Sequence, residues 1–442
     1  MSDPGSLPLP PGKTGLPLLG ETLDFLKDNV NFIAKRIEKH GPVFKSNVLG
    51  RKAVFINGPR ACMKWIDLQY VKRSDSIPKL ALHIFGGISL PMLDGDQHLT
   101  RKHLIIQGFT EELLDKYMPT LWDIVAKTLK EYSQQDEVRG AEAFKALAIE
   151  AICTNVMGLE RGPVVDDLVR DFGILTKGLE GLPIPLPGTN LRKAINARKR
   201  IAAHLKKVIA ERAENPGEDG LSQILQETAP DGSNISQEDA LLELHHMVLA
   251  GYIIFGEFMG TFMQLTQHPE VKEKLLSEIQ EQLPEGRCDR QKLDQMIYLN
   301  QVVMELKRHT PIVNVFFGTA QQDFELHGYK VPKDWQVILS IIHTNWSKES
   351  FSDPKSFDPG RFSETRAEHK KHPEAFSPQG PGSIPKHHRC AGEVYTTMFM
   401  QIFLVELLRN YQWTLPEQDL SYNWAIVPPE PKDGMRFQLR DK

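Results

Sequence analysis

Apolar positions repeat along this chain with two periods, and the changes between them mark out its elements. From Glu21 to Gly41, Leu23, Leu26, Val30, Ile33 and Ile37 recur at the three- and four-residue spacing of a helix. The next stretch, "VFKSNVLGRKAVFINGP" (Val43 to Pro59), predicts a hairpin that turns at Leu49-Gly50. Helical spacing then dominates, over His98 to Phe109, Glu112 to Tyr132, Gly140 to Met157, Val164 to Lys177, Leu191 to Ala213, Gln237 to His268 and Val271 to Leu283. Turn formers separate these runs at "GLPIPLPGT" (Gly181 to Thr189), "NPGEDG" (Asn215 to Gly220) and "APDGSN" (Ala229 to Asn234). Strand-like runs return between Val315 and Ile342, interrupted at His327-Gly328 and Pro332-Lys333-Asp334. Asn345 to Gly382 reads as irregular, and a last helix starts near Cys390. The pattern predicts a mainly α protein with small β-sheets, an α+β arrangement. A proline-stiffened strap, Leu7 to Leu19, leads in. No repeat or linker divides the chain, so one domain is expected over 1–442.

Composition narrows the function. A chain of 442 residues with 40% hydrophobic content can bury a sizeable apolar cofactor. The net charge of -4 supplies no basic footprint, which argues against nucleic acid as a partner. Cys62, Cys153, Cys288 and Cys390 are scattered without a CxxC pair, so neither a zinc site nor a disulfide framework is expected, and a reducing cytosol fits. The N-terminus lacks the basic and apolar regions of a secretory signal. The longest apolar tract, Met247 to Leu265, contains Glu257 and follows His245 and His246, and reads as a buried helix and not a membrane span. A soluble, cytoplasmic protein is expected.

Candidate chemistry centres on "PQGPGSIPKHHRCAGE", where His387, His388 and Arg389 precede Cys390 at the start of a helix. A helix N-terminus with adjacent Arg389 and His388 would favour the thiolate, a soft anionic ligand. A buried structural cysteine is the alternative. Upstream, in "LNQVVMELKRHTP", Glu305 and Arg308 lie three apart and can pair, as surface pairs at that spacing commonly do. "PKSFDPGRF" (Pro354 to Phe362) then stands between that pair and the cysteine loop.

This order resembles the cytochrome P-450 superfamily over nearly the whole chain. The proline-rich start, "HLTRK" (His98 to Lys102), the long central helix ending "HPEV", Glu305-x-x-Arg308, "FDPGRF" and Cys390-Ala391-Gly392 all fall where the family has its landmarks. The resemblance implies a triangular helical prism around a buried haem b, with Cys390 as axial thiolate ligand of the iron. Glu305, Arg308 and Arg361 become a structural charge network behind a meander and ligand loop over 345–390. His98, Lys102 and His388 become propionate partners, while Gly251 and Gly392 lie beside the cofactor. A hydrophobic small-molecule substrate is implied, with oxidising equivalents from ferredoxin and its reductase or from hydrogen peroxide.

The departures are informative too. The cysteine loop is longer than the family's common form, has Gln379 where a second phenylalanine is frequent, and resembles the bacterial fatty-acid peroxygenases, as does "WTLPEQDLSYNW". The middle, "FELHGYKVPKDWQVILSI", is similar to the retinoic-acid hydroxylases and their cyanobacterial relatives. Relatives carry an acid and a threonine after the central Ala-Gly pair to relay protons. Here Tyr252, Ile253 and Ile254 follow Ala250-Gly251, and the peroxygenases' Arg-Pro pair is missing as well. Two isoleucines are normally core, whereas the resemblance puts Ile253 and Ile254 on the distal side of the iron, with Tyr252 or Glu257 as substitute relays. Gly318 stands where relatives keep a propionate-binding arginine, leaving Asn345 and His343 as further candidates or as ordinary turn residues. Peroxide-supported oxidation or oxidative radical coupling of an aromatic substrate is therefore expected. The alternatives are a reductase-driven monooxygenase, a redox-neutral isomerase or dehydratase, and a non-catalytic haem protein.

Overall fold

The predicted hairpin pairs Val43–Val48 with Arg51–Ile56, and Leu49 and Gly50 between them both adopt positive φ, 55° and 73°. That two-residue geometry matches the twist of the strands it joins. The hairpin is one edge of a five-stranded sheet. Arg51–Ile56 runs parallel to Gln336–Ser340, which pairs antiparallel with Val315–Ala320, and this pairs antiparallel with Val71–Lys72 at the other edge. The proline-rich strap lies against this region, accepting hydrogen bonds at Pro11 from Lys45 (2.8 Å) and at Pro8 from Lys330 (2.9 Å). The computed structural model describes all residues except 1–3, 16–18, 79–80, 180–183, 311 and 427.

Helices make up most of the remainder. Gly140–Met157 forms at the expected bounds, beside Glu111–Ser133, Pro163–Thr176 and Asn190–Glu214. Phe144, Phe258, Phe262 and Phe403, all fully buried, lock three helices together. Phe403 lies 5.7 Å from Phe144 and 4.4 Å from Phe258, ring centre to centre. Each such ring contributes roughly 1.5–3 kcal/mol by burial, and each tilted pair adds about 0.5–1.5 kcal/mol.

Two expected helices are interrupted. The first splits at Asp28, whose extended backbone lets its carboxylate accept from the Asn31 amide at 2.9 Å and start a new helix, Asn29–His40. The central run divides into Gln237–Tyr252 and Phe255–Gln267. At this break the Ile254 and Glu257 amides reach back three residues, to Gly251 (3.3 Å) and Ile254 (2.9 Å). Glycine and the β-branched Ile253-Ile254 pair both weaken α-helix locally. Gln237–Gln267 is long and apolar enough to cross a membrane, and 83% of its apolar window is buried inside the molecule. Periodicity did not pick out the short helices Pro59–Ile66 and Gly220–Gln226, nor the strands Tyr411–Thr414 and Arg436–Asp441 that pair near the C-terminus.

Candidate functional site

The Ile297–His309 helix delivers Glu305 and Arg308 to the interior, where both are completely buried along with Arg361. Arg308 donates two parallel hydrogen bonds to Glu305, Nε to Oε2 at 2.7 Å and Nη2 to Oε1 at 2.8 Å. Arg361 Nε donates to both oxygens of Glu305, at 3.1 and 3.2 Å. The Arg308 fork also reaches the carbonyls of Asn345 (2.9 Å) and Pro354 (2.7 Å), so the irregular segment hangs from it. Glu368, absent from the sequence reading, completes the network by accepting from Arg361 at 3.0 Å. Burial alone would raise its carboxyl, but hydrogen bonds from Ser352 and Arg366 and the charge of Arg361 hold it down at about 2. Arg366 pairs with Asp358 as well as with Glu368, so three acids and three arginines cancel, the condition under which buried charges are tolerated.

Beyond this network the cysteine loop turns on Gly380 and Gly382, with φ of 98° and 95°. A side chain at Gly382 would come within 2.6 Å of His387. The Cys390 amide donates to the Gln379 carbonyl at 2.9 Å, closing the loop onto itself. Gly392 caps the Glu393–Asn410 helix, and a side chain there would lie 3.8 Å from Phe109 and 4.0 Å from the Cys390 sulfur. Burial raises the Cys390 thiol above its ordinary value, while the Gly392 amide and the Lys102 ammonium draw it down by less. Lys102 and, more weakly, Lys307 are the cations that act on the sulfur most directly, and Arg389 also feels its charge. Arg389 is turned to Glu393, at 2.5 and 2.6 Å, and His388 faces Asp94 at 3.6 Å.

The three expected propionate partners come together. His98 and His388 lie with ring centres 4.1 Å apart and planes tilted by 45°, and Lys102, one turn beyond His98 on Gly95–Ile106, donates to the Arg389 carbonyl. Burial pushes His98 down to about 3, His388 to about 4 and Lys102 to about 8. Arg73 joins them, buried and pushed down to about 10, with its guanidinium 4.9 Å from the Phe316 ring. The sequence reading missed it; the Lys72-Arg73 pair at the end of the short strand Val71–Lys72 was its only signal, and burial of an arginine there is set by the fold. Gly318 shows why: a side chain at that position would meet Val71 at 2.5 Å and Trp65 at 3.0 Å, so the sheet has no room for one. Asn345 and His343 lie elsewhere. Asn345 accepts from the Arg308 side chain and the Ser377 amide, and His343 bonds Ser340 at 2.7 Å.

From Glu243 to Leu265 every residue of the central helices is buried except His246, Ala250 and Ile253, which recur at helical spacing and form one strip. Ile253 is on that strip. Ile254 is not; it is 2% exposed and belongs to the core. Gly251 backs onto the Gly140–Met157 helix, where a side chain would meet Ile152 at 2.4 Å. Tyr252 turns the same way, with its hydroxyl 3.1 Å from Thr176 and its ring 5.8 Å from the Lys145 ammonium. Glu257 is buried, its carboxyl raised by burial against partial relief from Lys307, and Oε2 has no hydrogen-bond partner. The apolar sequence segments Ile77 to Gly87 and Glu180 to Asn190 read as pocket lining for an aromatic or lipid ligand; of them, Lys79, Leu80 and 180–183 lie outside the described residues. Ile184 and Leu186 are exposed to solvent, at 46% and 58%.

The cytochrome P450 family model matches residues 10–433. The chain belongs to the cytochrome P450 family. It is 30% identical over 439 residues to a putative cytochrome P450 120 of Synechocystis sp., covering 98% of this chain and 97% of that one. The structure of a retinoic-acid-bound cyanobacterial CYP120A1 superimposes on this P450 with a TM-score of 0.90, at 29% identity over 99% of this chain and 100% of that one. Ligand-free cytochrome P450 OleT shares the fold at a TM-score of 0.84 and 21% identity, over 98% of this chain and 99% of that one.

P450s are haem-thiolate oxidoreductases, and the donor set described above fits that cofactor. Arg73 Nε and His98 Nε2 are buried with no hydrogen-bond partner, and Lys102 is buried beside them. Asp94 faces Arg73, His98 and His388, and its carboxylate is already engaged by the Arg73 and Ser74 amides. Two propionate groups would supply the missing acceptors. A small cleft of about 20 Å³ lies against Arg73, His98 and His388. A metal ion at the sulfur would reverse the raised thiol of Cys390, since coordination deprotonates a thiol outright.

Proposed function

We propose that this P450 holds haem b through the Cys390 sulfur and oxidises a hydrophobic, aromatic small molecule without drawing protons through the central helix. When bound, a thiolate-ligated haem supplies the oxidising chemistry, with sulfur donating electron density that favours oxygen–oxygen cleavage. Arg73, His98, Lys102 and His388 would anchor its carboxylates, and the Gly392 amide would steady the sulfur. The Glu305 network keeps the ligand loop in place, and Ile253 and Ala250 give the pocket a dry wall.

The observation that carries this reading is the outward face of the helix break. Ile253 occupies it, Tyr252 is tied to Thr176 on the far side, and Glu257 is buried off the strip. No acid or hydroxyl from 250–254 is offered where proton relay needs one. Hydrogen peroxide is therefore the preferred oxidant over ferredoxin and its reductase, and one-electron oxidation followed by radical coupling suits the same pocket.

The test compares turnover of phenols, indoles and fatty acids with peroxide, with a ferredoxin system and with neither. Peroxide should support the fastest turnover, and Ile253→Thr should raise the reductase-driven rate. Efficient reductase-driven turnover by the wild type, unchanged by Ile253→Thr, contradicts the reading. Turnover with neither oxidant would make the protein an isomerase.

A further inference from the structure

His245 and His246 are neighbours with opposite fates. His245 is buried, bonded at 2.8 Å to the Ile84 carbonyl and packed on Phe172. His246 emerges on the strip, one turn before Ala250 and two before Ile253, with its ring 6.2 Å from that of Phe85. Leu242, one turn earlier still, touches the chain at Gly87. The strip thus begins beneath the 85–87 segment, part of the stretch whose sequence marked it as pocket lining.

Behind His246 stands Glu243, with a side chain only 1% exposed. Its Oε1 accepts from the Leu90 amide at 2.8 Å and from Arg101 at 2.9 Å, and Arg101 is paired outward with Asp239 at 2.7 Å. Its Oε2 has no hydrogen-bond partner and lies 3.8 Å from His246 Nδ1, within ion-pair range but too long for a hydrogen bond. A buried carboxylate oxygen without a partner is costly, so a donor placed here by a ligand would be strongly favoured. Glu243 is fixed from behind by two donors, and its free oxygen stands on the Nδ1 side of the His246 imidazole, within range of an ion pair.

We propose that His246 is the substrate-recognising residue of the strip, positioned by Glu243. The inference rests on the preceding reading, in that the strip is taken to face substrate. It adds the substrate class: an apolar, aromatic molecule bearing a neutral O–H or N–H donor, and not a free carboxylate. A hydroxyl or N–H can donate to the imidazole or to Glu243 Oε2. A carboxylate would bring a second negative charge toward Oε2, which is repulsive in a dry site. The apolar wall of Leu242, Ala250 and Ile253 would take the ring.

The test is calorimetric titration of the haem-loaded protein with 4-hydroxybiphenyl, 4-methoxybiphenyl and biphenyl-4-carboxylate. The hydroxyl compound should bind about tenfold tighter than its methyl ether, the margin of one good hydrogen bond, and the carboxylate weakest. His246→Leu should remove the preference while leaving the ether's affinity within about twofold, and His246→Gln should retain part of it. Equal binding of alcohol and ether, a preference that survives His246→Leu, tightest binding of the carboxylate, or no binding of any probe overturns the proposal. Because heat is measured and not haem absorption, loss of the thiolate assignment would leave this result readable and would fail separately.

Discussion

Glu305→Gln isolates the charge network from its shape. Glutamine fills the same space and leaves Arg308 and Arg361, both wholly buried, opposed by Glu368 alone. Breaking a buried pair by removing one partner costs about 3–5 kcal/mol, because the abandoned charge has no water to turn to. For 442 residues, an unfolding entropy of roughly 2.1 cal/mol/K per residue amounts to roughly 0.9 kcal/mol/K, so Tm should fall by about 3–6 °C. Differential scanning calorimetry measures this, with Glu112→Gln as control. Glu112 is 79% exposed and pairs with Lys116 at 3.1 Å on the surface, where such pairs are worth about 0–1 kcal/mol. Adding Arg361→Met to Glu305→Gln should recover part of the loss, since it removes the stranded charge. A Glu305→Gln protein that melts within 1 °C of wild type, taking about 1 °C as the span of a surface pair, would refute the reasoning.

Glu368 predicts a pH dependence. Its carboxyl is lowered from 4.5 to about 2, so the stability it contributes is complete above 4.5 and is lost as pH falls from there toward 2. Glu368→Gln should flatten the acid limb of the stability curve in that window, and an unchanged limb contradicts it. Arg73→Met should weaken haem retention about tenfold in transfer to apomyoglobin, the worth of one charge-assisted hydrogen bond, yet stabilise the haem-free protein by removing a buried cation; retention equal to wild type counts against the propionate role. Gly318→Ala should destabilise by about 1–3 kcal/mol in urea titration, because the added carbon would lie 2.5 Å from Val71 and 3.0 Å from Trp65. Neutrality there would mean that the sheet yields more readily than its packing implies.

Much of this was legible in the residues because local physics wrote it twice. The hairpin at Leu49-Gly50 and the helix Gly140–Met157 carried both a period and a stop signal, and formed as read. Spacing alone offered Glu305 and Arg308 as a pair of the kind common on surfaces; it was the resemblance to P450s that joined them to Arg361 in a buried network. What stayed hidden depends on contacts between distant segments. Nothing near Arg73 in the chain announces that Trp65, Phe316 and the histidines will close over it. The opposite directions of Tyr252 and Ile253 follow from how the helix seats on Gly140–Met157 at Gly251. His246 was visible only as a flank of an apolar tract until the burial of its neighbours left it on the strip.

The most direct measurement is the carbon monoxide difference spectrum of the haem-loaded wild type and of Cys390→Ala. The account predicts the strongly red-shifted absorption of a thiolate complex in the wild type and its complete loss in the variant, with the fold intact by circular dichroism. A wild-type spectrum without that shift, or a variant that keeps it, would contradict sulfur ligation at Cys390 and with it the proposed chemistry.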